Sequence, residues 1–440
     1  MREALRLRSR HDRAVAALAI PALGSLVADP LLSLIDTAFV GRLGSDSLAG
    51  LGIAAALFGV AFFVFNFLEY GTTTEVARSV GAGDRAAAGR ATITAGALAV
   101  LAGMTVAALL LLLAGPAVSA LGASGLVKAE AVTYVMIRAL AAPAVLVVRA
   151  AHGAYRGHQN TRTPFAVALG ISGLNLVLDP LFIFGAGMGV AGAAWATVIA
   201  QWLGALVFVG LLRKGRTTYG LDGARPVVAE VRAFLRIGRD LAIRTGSLLA
   251  AFTAATAVAA RVSDDAVAAH QILSQLFIFL ALTVDALAIA AQALIGKYRG
   301  SGDRVAVLEI SDRLLVLGAA VGLILAGVLW LLSPVIGSWF TGDSAVLLEF
   351  DQVFWLVVII QPLGALVFVW DGVFIGAGDF TFLAGAMAAS ALMSGVVLIL
   401  VIPLGWGLSG VWWGIVVLLS ARVLTLAWRR VAARSPLRLT

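Results

Sequence analysis

Twelve apolar stretches of about twenty residues recur along this chain, and that is the length an α-helix needs to cross the hydrocarbon of a bilayer. They fall at 14–40, 49–72, 91–114, 131–152, 164–185, 190–212, 239–260, 268–296, 314–333, 350–375, 380–403 and 409–429. The runs are too long, and too rich in Ala, Leu and Gly, for the alternation of a membrane β-barrel. A soluble fold is excluded by composition. Of the 440 residues, 61% are hydrophobic and 13% charged, where soluble domains carry roughly a quarter charged residues. The first stretch is too long for a signal-peptide core and is expected to stay in the mature protein.

The formal charge of +8 could suggest a nucleic-acid partner, but the charges sit between the apolar stretches. With twelve spans both termini lie on one side. That side collects Arg2, Arg6, Arg8, Arg10 and Arg13, then Arg78, Arg85 and Arg90, then Arg149, Arg156 and Arg162. It also holds the central loop from Arg213 to Arg239, Lys297 to Arg313, and Arg429 to Arg438, against Arg42, Lys128 and Arg261 opposite. Positive loops stay in the cytoplasm, so both termini are expected there, in a bacterial inner membrane. The excess charge is a topology signal and no nucleic-acid partner is expected.

The two halves match at a shift of 219 residues. Gly81-Ala-Gly-Asp-Arg85 repeats as Gly300-Ser-Gly-Asp-Arg304, Arg42 as Arg261, Asp46 as Asp265, Phe58 as Phe277, Pro143 as Pro362 and Gly157 as Gly376. Near the end the shift is 218, pairing Gly187, Gly192 and Trp195 with Gly405, Gly410 and Trp413. Each copy holds an even number of spans, so both enter the membrane from the same side. The expected fold is all-α and integral to the membrane. It has two six-helix lobes, 1–222 and 223–440, related by a pseudo-twofold axis along the membrane normal and joined by a charged linker at about 213–238. Two lobes about a midplane site are a transporter layout.

Ionisable groups inside spans cost several kcal/mol by most estimates and so call for a reason. Asp29 and Asp36 lie two turns apart on one face of the first span, and Asn175 and Asp179 one turn apart in the fifth. Thr197 lies in the sixth. Span directions put Asp36, Asp179 and Thr197 in the outer halves of their helices, an oxygen-rich cluster. Two carboxylates in a low dielectric take up a proton or hold a monovalent cation such as Na+. The alternative is ion pairing to Arg138 or Arg244. None of these residues has a counterpart in the second half, where Ala255 and Ser394 stand at the positions of Asp36 and Asn175. Pro21 and Pro30 can kink the first helix, and Pro180 frees a carbonyl one turn earlier. Gln271, Asp285, Gln292 and Asp371, with Asn66 beside Glu69, are candidates for substrate contact, for the inner mouth, or for bridging helices.

Leu34-Ile-Asp36-Thr-Ala-Phe-Val-Gly-Arg-Leu-Gly44 resembles the first-helix signature of the multidrug and toxic compound extrusion (MATE) family. Asn175-Leu-Val-Leu-Asp179-Pro180, Ala268-Ala-His-Gln271, Asp285 to Leu294, and Asp371-Gly-Val-Phe-Ile-Gly376 resemble its later motifs, in the DinF-like branch. The resemblance implies a secondary active exporter working by alternating access, with Asp36, Asn175, Asp179 and Thr197 as the coupling site. It adds the Ala193 carbonyl to that site and makes Pro21 the kink. It also implies small amphipathic or cationic organic substrates and a monomer. An acid at position 29 departs from the family's pattern, and a second-lobe acidic cluster is not evident, which favours H+ over Na+. A lipid-linked saccharide flippase of related architecture is the rival, with Arg138 and Arg244 to hold a pyrophosphate. No ATP motif, GxSxG or clustered His or Cys points to an enzyme or a resident cofactor, so an ion gradient is expected to drive transport.

Overall fold

The computed structural model describes residues 9–432 and 435–437. The basic residues at 2, 6, 8, 434 and 438 lie outside them. Among the described residues every regular element is helical. The first part of the chain forms α1 (Asp12–Gly41), α2 (Ser45–Phe63), α3 (Asn66–Gly81), α4 (Arg85–Ala120), α5 (Gly125–Ala139), α6 (Ala142–Gly157) and α7 (Arg162–Pro180). The remainder forms α8 (Val190–Lys214), α9 (Val228–Val262), α10 (Asp264–Gly300), α11 (Arg304–Ile336), α12 (Ser344–Gly376), α13 (Phe380–Val401) and α14 (Gly407–Val431).

Eleven stretches are long and apolar enough to cross a bilayer, and α5 with α6, bent by 53°, makes a twelfth. The helices α2 and α3 act as one stretch, Ser45–Gly81. A π-helical turn, Leu181–Gly185, extends α7 past Pro180. These coincide with the twelve runs read from the sequence. The chain is therefore an all-α, multi-pass membrane protein. Its surface fits lipid as solvent, since large side chains such as Leu112, Leu331 and Ile399 are about three-quarters exposed, at 76%, 78% and 74%.

The chain divides into two compact units. One is Ile20–Gly238; the other is Arg239–Thr440 with Met1–Ala19. Both divisions fall inside helices, between Ala19 and Ile20 in α1 and between Gly238 and Arg239 in α9. The central loop is not a free linker. Its last part, from Val228, is already helical, because Phe234 and Ile237 are buried against Gly71 of α3. Its first part docks too: Tyr219 packs edge-on against Tyr155 and His158, at centroid distances of 5.4 and 4.9 Å.

The repeat reappears as matched local geometry within each unit. In the first, Gly83 sits at φ +76° and the Asp84 carboxylate caps α4 by accepting from the Ala87 N–H at 2.8 Å. In the second, Gly302 sits at φ +73° and Asp303 caps α11 through the Ala306 N–H at 3.0 Å. Left-handed backbone favours Gly, and a side-chain acceptor satisfies an N-terminal donor, which is why the GxGD run is a turn. Helix crossings repeat as well. A Cβ on Gly103 would stand 2.4 Å from Cα of Pro143, and one on Gly322 would stand 2.8 Å from Cα of Pro362. Such small-residue contacts let membrane helices approach closely.

The copies differ where helices break. α2 and α3 are interrupted at Val64–Phe65, and α5 and α6 at Leu140–Ala141. Their counterparts α10 and α12 run continuously. In α12 the Gln361 amide donates to the Val357 carbonyl at 3.0 Å beside Pro362. Ala142 at the matching position has no amide to do so.

Candidate functional site

The unit Ile20–Gly238 places its acidic residues together. α1 brings Asp36, α7 brings Asn175 and Asp179, and α8 brings Thr197 and Ala193. Asp36 is 6% exposed, Asp179 and Asn175 are fully buried, and Thr197 is 1% exposed. The Asn175 amide holds the group. With its nitrogen toward the acids it donates to Asp179 Oδ2 at 2.7 Å and to Asp36 Oδ1 at 2.9 Å. Its oxygen then accepts from the Thr197 backbone N–H at 3.3 Å and faces the Thr197 hydroxyl at 3.1 Å. The reverse orientation would set the amide oxygen against two carboxylates. The Thr197 hydroxyl also reaches the Ala193 carbonyl at 3.1 Å. The two carboxyls lie within side-chain hydrogen-bond reach of each other. Asp179 Oδ1 is buried without a hydrogen-bond partner among the described residues.

Sodium would need several of these oxygens at once. A proton needs only one lone pair.

A cavity of about 320 Å³ lies beside Asp36, lined by Arg138, Arg149, Tyr134, Phe58 and Phe62 among others. Arg138 forms no ion pair with either acid among the described residues. Its Nη1 donates to the Tyr134 hydroxyl at 3.0 Å and its guanidinium lies 5.3 Å over the Phe58 ring. Its charge acts on Asp36 and Asp179 only through space. The ion-paired alternative for the acids therefore does not describe this structure.

The other candidates are placed differently. Asn66, at the start of α3, accepts from Arg149. Next to it Glu69 pairs with Arg156. Arg156, counted from the sequence as a loop charge, lies in α6 and is 3% exposed, because Glu69 supplies its counter-ion. Asp371 is buried between Arg244 and Arg422, with its two oxygens on separate guanidinium groups. This accounts for Asp371 as a helix bridge between α9, α12 and α14. It also removes Arg244 as a spare cation for a pyrophosphate. Arg422 carried no signal in the sequence beyond its place in an apolar run. Gln292 is buried on α10 beneath Gly376 of α12, Asp285 is half-buried, and Gln271 is exposed. Asp29 lies within α1, but its side chain is outside those described. α1 runs unbroken through Pro21 and Pro30, and the Ser25 hydroxyl donates to the Pro21 carbonyl at 3.1 Å.

Twelve helical spans and a buried polar cluster beside a cavity are the layout of a membrane transporter. The sequence pattern of the MatE family matches residues 21–181 and 247–401, and the chain belongs to that family of multidrug and toxic compound transporters. It is 34% identical over 427 residues to Protein DETOXIFICATION 44, chloroplastic, of Arabidopsis thaliana, covering 94% of this chain and 81% of that protein. It is 32% identical over 426 residues to DNA damage-inducible protein F of Escherichia coli (strain K12), covering 95% and 92%. In fold it is similar to a MOP superfamily transporter from Pyrococcus furiosus, with a TM-score of 0.89 at 22% identity, covering 100% and 99% of the two chains.

Proposed function

We propose that this chain is a proton-driven antiporter that exports small amphipathic organic molecules, cations among them, by alternating access. The observation that carries the reading is the buried Asp36–Asn175–Asp179 cluster. Its amide bridges both carboxyls and leaves Asp179 Oδ1 unpartnered. Two carboxylates on one amide in a low dielectric repel each other, and a proton taken up between them removes the repulsion. Asp36 lines the 320 Å³ cavity, so its protonation changes the charge that a cargo meets there. Exchange follows if proton and cargo favour opposite states, since each ligand shifts the equilibrium only by its differential affinity. The aromatic wall of Phe58, Phe62 and Tyr134 suits an organic cargo recognised by shape rather than by one fixed contact. The basic loop side is read as the cytoplasmic one, so both termini face the cytoplasm from a bacterial inner membrane. The cluster is complete within one unit of one chain, which supports a working monomer.

The test is transport in proteoliposomes, with a proton or a sodium gradient imposed in separate runs and a fluorescent organic cation as cargo. A proton gradient alone drives wild-type transport, and Asp36→Asn or Asp179→Asn abolishes it. Transport driven only by sodium would replace the coupling ion. Variants that transport like wild type would remove the acids from the mechanism.

A further inference from the structure

The unit Ile20–Gly238 carries a groove of about 680 Å³ between α7 and α8, and none of Asp36, Asn175 and Asp179 lines it. Its walls come from Arg162 to Leu174 of α7 and from Ala200 to Leu211 of α8. The two helices are antiparallel neighbours joined by a short connection, so Arg162 and Leu211 stand at one end and Leu174 and Ala200 at the other. Twelve residues of helix rise about 18 Å. That is close to one leaflet of a hydrocarbon core about 30 Å thick. The groove stops near mid-helix, whereas both helices go on.

Its chemistry changes along its length. The inner part is apolar and open outward: Leu203 and Val207, which line it, are 45% and 48% exposed. The floor is low where side chains are missing. A Cβ on Gly170 would meet no atom within 4 Å, and Ile171 leans into the space over Gly204, 2.3 Å from where a Cβ would stand. One charge lines the groove, Arg162, at the loop end. It is exposed and makes no hydrogen bond or ion pair among the described residues. Beside it the Thr163 hydroxyl accepts from the Asn160 amide at 2.8 Å and keeps its own proton to donate.

We infer that this groove binds one acyl chain of an anionic phospholipid, with the lipid phosphate on Arg162 and Thr163. The acyl chain fills an apolar channel one leaflet deep, and the free cation stands at headgroup depth, where a phosphate complements it. A partner helix fits less well. It would span the bilayer and call for a groove along the full length of α7 and α8, and it would leave Arg162 unanswered. In the topology proposed above the Arg162 end is cytoplasmic, so the lipid belongs to the inner leaflet. The site does not depend on the transport reading.

Native mass spectrometry of the delipidated protein tests it, with phosphatidylglycerol and phosphatidylcholine of identical chains as probes. Wild type is expected to retain one phosphatidylglycerol about fivefold more tightly than phosphatidylcholine, the ratio expected of one basic contact. Arg162→Ala erases that preference. Gly170→Leu, whose Cβ meets no atom within 4 Å, puts a side chain into the channel and removes the tightly bound lipid of either kind. Asp36→Asn, which disables the proposed coupling, leaves lipid binding unchanged. Equal retention of both lipids by wild type, or variants that bind like wild type, overturns the proposal. It is also overturned if Gly170→Leu converts a dimer to a monomer, since a second copy would then cover the groove. Should Gly170→Leu misfold by circular dichroism, Arg162→Ala decides alone.

Discussion

The Arg244–Asp371–Arg422 cluster makes a prediction that runs against the usual cost of losing a salt bridge. One carboxylate serves two guanidinium groups there. Asp371 is 3% exposed, Arg244 8% and Arg422 0%. Both guanidinium groups therefore share one buried carboxylate. Asp371→Asn removes the carboxylate that both cations share, and breaking a buried pair costs about 3–5 kcal/mol. At about 2–4 °C per kcal/mol for a unit of this size, that lowers the midpoint of thermal unfolding by about 6–20 °C. Arg244→Met acts the other way on the charge balance, because it leaves Asp371 and Arg422 as a neutral pair. Its expected cost is within about 1 kcal/mol, or roughly 2–4 °C. The assay is thermal unfolding in detergent, followed by intrinsic tryptophan fluorescence at one scan rate for all variants. If Arg244→Met is as damaging as Asp371→Asn, the argument from the shared carboxylate is wrong. The cluster would then act through packing and hydrogen bonds specific to Arg244.

Two further predictions concern packing and pH. Gly103→Val forces a side chain into the Pro143 backbone and destabilises the α4–α6 crossing by about 1–3 kcal/mol or more. Gly96→Val in the same helix meets nothing within 4 Å and serves as the control in the same melt. His158 lies outside the spans, and burial beside Tyr219 pushes its imidazole down to about 4 from an ordinary 6.5. The unfolded chain binds that proton more readily. The stability His158 contributes is therefore fully present above pH 6.5 and falls as the pH drops from 6.5 toward 4. His158→Phe is expected to flatten the melting-temperature profile across that window, and a profile identical to wild type would show that the ring titrates normally.

Much of the membrane architecture was legible in the sequence because it rests on local quantities. Span length, loop charge and the 219-residue repeat each depend on neighbours along the chain, and the twelve apolar runs became the twelve spans. The clustering of Asp36, Asn175, Asp179 and Thr197 was also readable, because helical rise converts sequence position into depth. Other features required partners that no spacing encodes. Arg156 read as a loop charge until Glu69, on another helix, was found against it. Asp371 read as a substrate contact, an inner-mouth residue or a helix bridge, and only the packed helices show α9 and α14 delivering two arginines to its oxygens. The breaks in α2–α3 and α5–α6 were hidden, since Pro143 and Pro362 look alike and only Gln361 carries an amide to hold its helix together. Sequence thus determined which segments are helical and apolar enough to span a membrane and which groups lie within them. Tertiary structure decided which of those groups neutralise one another, because lateral pairing between helices depends on rotation and packing rather than on periodicity along one chain.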